Sequence, residues 1–136
     1  MVKIVETGLF LGKYSHRLTE GNRLALPKKI RAEIPGNEVI LAGGFESCIA
    51  GFDRKKWEEI AKKQLEVPLY ETRGRVLRRQ MFANAMILPI DSQGRVVLPQ
   101  SLMDWARIEE EVVVIGAGDH FEIWDSKKWQ EYIGGI

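Results

Sequence analysis

The chain contains one pattern twice, and that repeat constrains its fold more than any other feature. Leu18-Thr19-Glu20-Gly21-Asn22-Arg23-Leu24-Ala25-Leu26-Pro27 returns 72 positions later as Ile90-Asp91-Ser92-Gln93-Gly94-Arg95-Val96-Val97-Leu98-Pro99. The same offset pairs Phe10 with Phe82, Glu38 with Glu110, Gly44 with Gly116, Asp53 with Asp125, Lys55 and Lys56 with Lys127 and Lys128, Trp57 with Trp129, and Glu59 with Glu131. This is a tandem duplication read as free of gaps, with a period too long for a solenoid unit, so each copy is half of a small domain.

Each copy reads as strand, turn carrying one arginine, strand, helix. In the second copy Asp91 can cap amides two residues on, and Gly94 takes a positive φ at no steric cost. Pro99 suits the first residue of a helix. The first copy predicts a strand from Leu9 into Leu18, a short helix from Pro27 to about Glu33, strands at 39–42 and 48–52, and a helix from Asp53 to about Leu65. Phe52 and Trp57 form a hydrophobic staple around Asp53, and Trp124 and Trp129 repeat it around the cap Asp125. A second helix spans 71–83, and the last is cut short at Gly134-Gly135. Residues 1–8 form a short leader with a possible extra strand at Val2–Val5.

With roughly four short strands, neither half can bury its own sheet. The fold class is therefore α+β: two halves interleaving hairpins into one pseudo-dimeric barrel, with the helices outside and the two halves related by a pseudo-twofold axis. The organisation is a first repeat at 9–66, a basic helical linker at 67–80 and a second repeat at 81–136. At 136 residues and 45% hydrophobic, the chain is long enough for one domain with a real core. It has no run of eighteen apolar residues and no signal-peptide pattern, so a soluble, cytoplasmic protein is expected. The lone Cys48 reads as a buried packing thiol.

Net charge is only +1, but its distribution is uneven. Residues 11–31 carry +5 and residues 53–80 carry +4, whereas 32–52 carry −3 and 81–136 carry −5. A basic first repeat and an acidic second one point to one half that faces a polyanion. Catalysis is not expected, because the chemistry of Asp91 and Ser92 is explained by turn formation. Gly43-Gly44 lacks both the spacing and the lysine of a phosphate-cradling loop. His16 and His120, with one cysteine, have no zinc-ligand spacing, so neither metal nor cofactor is expected.

Phe10-Leu11-Gly12-Lys13-Tyr14-Ser15-His16-Arg17-Leu18, the paired arginine turns, the two Asp-x-Lys-Lys-Trp segments and the linker Arg73-Gly74-Arg75-Val76-Leu77-Arg78-Arg79-Gln80-Met81-Phe82-Ala83-Asn84-Ala85 resemble the MraZ family over about residues 9–133. That family resembles AbrB and SpoVT in its swapped-hairpin halves, each with an Asp-x-x-x-Arg signature. The resemblance implies a bacterial transcriptional regulator that assembles into rings and binds short direct DNA repeats upstream of the division and cell wall gene cluster. It also implies double-stranded DNA and further copies of the chain as partners, a nucleoid location, and DNA contacts chiefly in the first copy. Asp91, Gly94 and Arg95 fit the signature. The first copy departs from it, with Thr19 in place of Asp and Asn22 in place of Gly; Asn tolerates the left-handed conformation that position requires.

Two roles are open to each turn arginine: holding the turn to the helix through hydrogen bonds, or touching DNA. Asp91 favours the first role for Arg95. Arg23 has no such carboxylate and stands among Lys13, Arg17, Lys28, Lys29 and Arg31, which favours the second and predicts one electropositive face. Arg73, Arg75, Arg78 and Arg79 read as a solvated helix face, a subunit contact or further DNA contacts. A protein-interaction or antitoxin-like module without specific DNA binding is the competing class.

Overall fold

The halves are joined by backbone hydrogen bonds that neither could make alone. In the computed structural model, which describes residues 7–135, the strands are β1 (Lys13–Arg17), β2 (Arg23–Ala25), β3 (Glu38–Gly43), β4 (Ile49–Phe52), β5 (Met86–Pro89), β6 (Arg95–Val97), β7 (Glu111–Gly116) and β8 (Phe121–Asp125). The helices are α1 (Lys28–Arg31), α2 (Arg54–Leu65), α3 (Thr72–Phe82), α4 (Gln100–Ala106) and α5 (Ser126–Gly134). The expected strand at Val2–Val5 lies outside the described residues.

Six strands form one antiparallel sheet in the order β1-β7-β8-β4-β3-β5, and β2 pairs with β6 in a separate ribbon. The order is palindromic under exchange of halves. First-half β1 lies on second-half β7, and second-half β5 lies on first-half β3. Leu24 pairs with Val96 and Ala50 with Glu122, each residue opposite its own counterpart 72 positions away. A pseudo-twofold axis therefore runs through these two pairs, as the repeat predicts. The sheet does not close: β1 and β5 are its edges, so the expected barrel is an open sheet capped by a ribbon.

The repeat is not free of gaps. β3 Glu38–Gly43 corresponds to β7 Glu111–Gly116 at an offset of 73, not 72. The extra residue enters after α4, which has seven residues where α1 has four and ends on Arg107 at φ 51°. It is given back in the turn between β7 and β8, where Ala117–His120 replaces the longer Gly44–Cys48 with its 3-10 turn at Phe45–Ser47. The physical reason is facing. A one-residue slip turns a strand's side chains to the opposite face, and only the offset of 73 matches the core residues Val39 and Leu41 with the core residues Val112 and Val114.

The core lies between the sheet and a cover made of the ribbon, α1 and α4. Leu24, Ile30, Val96, Leu98, Leu102 and Ala106 meet Phe10, Val39, Leu41, Val114, Phe121 and Ile123 there. Pro27 and Pro99 stand just before their helices, in extended conformation, one place earlier than expected. The opposite sheet face is covered by α2, α3 and α5. Both staples form, with ring centroids 5.2 Å apart for Phe52–Trp57 and 5.3 Å for Trp124–Trp129, and Trp57 and Trp129 are both half-buried. The caps differ. Asp125 accepts the Lys128 amide at 3.3 Å, whereas Asp53 caps no amide and instead holds the Lys56 ammonium at 3.3 Å. Cys48 is fully buried, and burial pushes its thiol up to about 12.

The linker arginines fasten α3 to the end of α2. Arg78 donates to the Leu65 and Val67 carbonyls, and Arg75 to those of Leu69 and Tyr70. Gly74 lets the segment close, because a methyl group there would strike the Pro68 carbonyl oxygen. Helix propensity alone favours alanine over glycine by about 1 kcal/mol, but overpacking costs about 1–3 kcal/mol and a backbone carbonyl yields little. Gly74→Ala is therefore expected to lower stability to chemical denaturation and to speed amide exchange in α3. An increase in stability would show that the contact is slack.

Candidate nucleic-acid interface

The β2–β6 ribbon is a two-stranded element, separate from the main sheet, that carries both turn arginines on its outer side. Alternation along its strands buries Leu24 and Val96 and leaves Arg23, Ala25, Arg95 and Val97 on the outer side. Arg23 pairs across the ribbon with Val97, and Ala25 with Arg95, so the two arginines lie on one diagonal.

The two turns that end the ribbon have different internal chemistry. In the second, Asp91 Oδ1 accepts the amides of Gln93 and Arg95, each at 2.9 Å, and Oδ2 accepts Arg95 Nε at 2.9 Å. These bonds, led by the Arg95 amide, hold the Asp91 carboxyl below its ordinary range. In the first, the Arg23 amide bonds instead to the Thr19 carbonyl at 3.3 Å, and Arg23 Nη1 donates to the Glu20 carbonyl at 2.8 Å. Asn22 has φ 57° where Gly94 has φ 77°, so asparagine does supply the left-handed position. The turn nevertheless has its own shape: Gly21 also has positive φ, at 81°, and the Arg23 guanidinium folds over it.

The six cations expected on one face are separated. The Leu26 amide bonds to the Gly94 carbonyl, so α1 with its exposed Lys28 and Lys29 begins at the end of the ribbon remote from Arg23. Antiparallel pairing causes this, since β2 carries the chain away from its own turn to the other half's. Lys13 and Arg17 pair with Ile115 and Glu111, on the sheet face opposite the core and the ribbon. Arg17 is held by Glu110 at 2.7 Å and Glu111 at 3.3 Å. Arg31 is spent inside the fold, donating to the carbonyls of Ile34 and Gly36 at 2.7 and 2.8 Å. Arg23, Lys28 and Lys29 remain with the ribbon. Sequence reasoning missed Ala25 and Val97 as outward ribbon residues; the two-residue alternation around buried Leu24 and Val96 was the available signal.

A second concave feature lies on the far face of the sheet. A cavity of about 260 Å³ is walled by Phe52, Trp57, Ile60, Leu77, Met81 and His120. His120 stacks on Phe52 at 5.6 Å and places Nδ1 2.8 Å from Asp119 and Nε2 3.0 Å from Glu122. Only the doubly protonated ring donates to both, and the Glu122 hydrogen bond, followed by that of Asp119, raises the imidazole above its usual 6.5 despite burial. Glu122 is lowered chiefly by the same bond. Among the described residues no three His, Cys, Asp or Glu side chains gather to hold a metal ion, and no helix is long and apolar enough to cross a membrane.

The sign of the resulting pH dependence follows from these directions. A raised imidazole contributes stability that is complete below the unfolded value of about 6.5 and is lost as pH rises through the higher folded value. Glu122's contribution is present above about 4.5 and is lost as pH falls through its lowered folded value. Thermal or urea melts across neutral pH are expected to show stability declining on the alkaline side, and His120→Gln should remove that decline. A parent profile already flat there would contradict the ion triad.

With this geometry in view, a family profile described as "MraZ protein, putative antitoxin-like" matches residues 9–80 and again residues 81–135. The chain is 35% identical over 129 residues to a transcriptional regulator MraZ of Roseiflexus, spanning 94% of this chain and 89% of that one. It is 36% identical over 124 residues to the protein of that name from Clostridium tetani, with 91% and 87% covered. It is 38% identical over 124 residues to that of Syntrophomonas wolfei, with 91% and 86% covered.

Proposed function

The chain belongs to the MraZ family, and from that membership and the ribbon's geometry we propose that it is a non-enzymatic transcriptional regulator that binds double-stranded DNA through the β2–β6 ribbon. The observation that carries the reading is the outward row Arg23, Ala25, Arg95 and Val97 on a two-stranded ribbon flanked by Lys28 and Lys29. A two-stranded ribbon fits the major groove of B-form DNA, where arginine reads guanine through two hydrogen bonds.

In this reading Lys28 and Lys29 touch phosphates, which position the protein without carrying sequence information. Arg23 reaches a base edge. Lys13, Arg17 and Arg31, directed elsewhere by their pairings, serve the fold or contacts between copies. Hairpins β1–β2 and β5–β6 are exchanged between the repeats at 9–66 and 81–136, joined by the linker 67–80, in the manner of AbrB-like proteins. The target is a set of short direct repeats in a promoter, that of the division and cell wall gene cluster. Several chains assemble into a ring in the cytoplasm, on the nucleoid, so repeated sites are held by multivalency even where one ribbon binds weakly.

Selection of bound sequences from a random DNA pool tests this directly, and a repeated short motif is the expected outcome. On that motif Arg23→Ala should cost about 1–3 kcal/mol and relax preference at one position, while Lys28→Ala and Lys29→Ala should weaken all sequences alike. Equal binding by Arg23→Ala and parent at equal salt removes the base contact. A pool that yields no motif favours the protein-interaction reading.

A further inference from the structure

The first half of the molecule has a hollow where the second has a filled aromatic cluster. Phe52, Trp57 and Ile60 stand 72 positions before Trp124, Trp129 and Tyr132. In the second half those three rings pack on one another, at centroid distances of 5.3, 4.9 and 6.0 Å. In the first, Phe52 and Ile60 are each smaller than their counterparts, and Leu77 and Met81 of α3 face them across the cavity of about 260 Å³. A dry void of roughly 150 Å³ accepts benzene, so this one has room for a ring and a short chain. The charged groups in its wall are Asp119, His120 and Glu122, and among the described residues no lysine or arginine lines it. Two carboxylates share one imidazole, so the wall keeps one negative charge in excess even with that ring doubly protonated. Phe45 lines the cavity while 68% exposed, which puts its ring at the mouth. It is carried by Glu46 and Ser47 at φ 52° and 59°, a conformation that persists only where the surroundings impose it. The shorter β7–β8 turn has positive φ only at Gly118.

We propose that this cavity is a binding site for a small organic cation, an amine on an aromatic or short aliphatic body. The ammonium sits against Glu122 and Asp119, and the body lies among Phe45, Phe52 and Trp57. Aromatic faces attract a cation through their ring quadrupoles, and the attraction grows where water is excluded. A carboxylate accepts a charge-assisted hydrogen bond from the same ammonium. An anion would meet two carboxylates and a His120 that they already hold. A neutral ligand would fill the space but leave the excess charge unanswered. The site goes beyond DNA binding and does not depend on it, because the cavity and the ribbon lie on opposite faces of the sheet.

The test titrates the full-length protein with phenethylamine, phenethyl alcohol and phenylacetate, following the Trp57 indole and Met81 methyl signals by NMR. The amine should bind with a dissociation constant of about 1 mM or tighter. The alcohol, lacking the charge, should bind about tenfold more weakly, and phenylacetate should move neither signal. Ile60→Tyr, which matches the residue type at 132, should fill the space and abolish amine binding while a thermal melt shows the fold intact. Phe45→Ala and Asp119→Asn alter exposed side chains, so they decide the matter even where Ile60→Tyr does not fold. Each should weaken the amine about two- to fivefold, and Asp119→Asn should leave the alcohol unchanged. Equal binding of the three probes overturns the cation. Signals that still move in folded Ile60→Tyr, or amine binding untouched by both exposed substitutions, overturn the site. So does an amine that moves neither signal at about 20 mM.

Discussion

Two three-residue strands that have no partner within their own half govern this structure. β2 and β6 find their partner strand in each other, Leu24 opposite Val96, so the ribbon exists only when the halves meet. The same dependence recurs in the sheet, where β1 lies on β7, β5 on β3, and β4 on β8. A buried backbone amide or carbonyl without a partner costs as much as a lost hydrogen bond, so half a domain exposes several such costs at once. The shared core follows from that pairing. Leu24 and Val96 are buried against residues of both halves because the ribbon they build covers the middle of the sheet.

Exchange of strands also redistributes charge. The sequence is basic in its first half and acidic in its second, yet the folded molecule does not have one basic lobe and one acidic lobe. β2 leads the chain from Arg23 to the other half's turn, so Lys28 and Lys29 stand beside Asp91–Gly94. β1 lies against the acidic start of β7, where Glu110 and Glu111 take up Arg17. These ion pairs are exposed and contribute at most about 1 kcal/mol to stability. They hold Arg17 away from the ribbon, whose own cations stand apart, Arg23 at one end and Lys28 and Lys29 at the other.

The linker arginines have a role inside the fold that their spacing does not announce. Of the four at 73–79, open to a solvated face, a subunit contact or DNA, Arg75 and Arg78 are turned inward onto carbonyls at the end of α2 and in the loop that follows. The last carbonyls of a helix carry partial negative charge, and a guanidinium supplies several donors in a fixed fork, so arginine suits this bracing. α3 then closes the aromatic cavity over the outer sheet face, where the His120 triad is the chief polar feature.

Much of the fold was legible in the residues themselves. The duplication, the strand–turn–strand–helix order, the staples at Phe52–Trp57 and Trp124–Trp129, the left-handed Asn22 and the family resemblance all rest on local pattern, and local sterics and alternation decide such features. Pairing across the pseudo-twofold axis was legible too, because half a sheet cannot stand alone. Three things were not. The one-residue slip between β3 and β7 depends on which face of each strand meets the core, and identical letters at an offset of 72 concealed it. The open edges of the sheet depend on where strands end in space. The separation of Arg23 from Lys28 and Lys29, and of Lys13, Arg17 and Arg31 from the ribbon, depends on which strand each neighbour pairs with. Residue types and their spacing determined what each segment could form; only long-range backbone pairing decided which segments became neighbours, and with that which charges were left free.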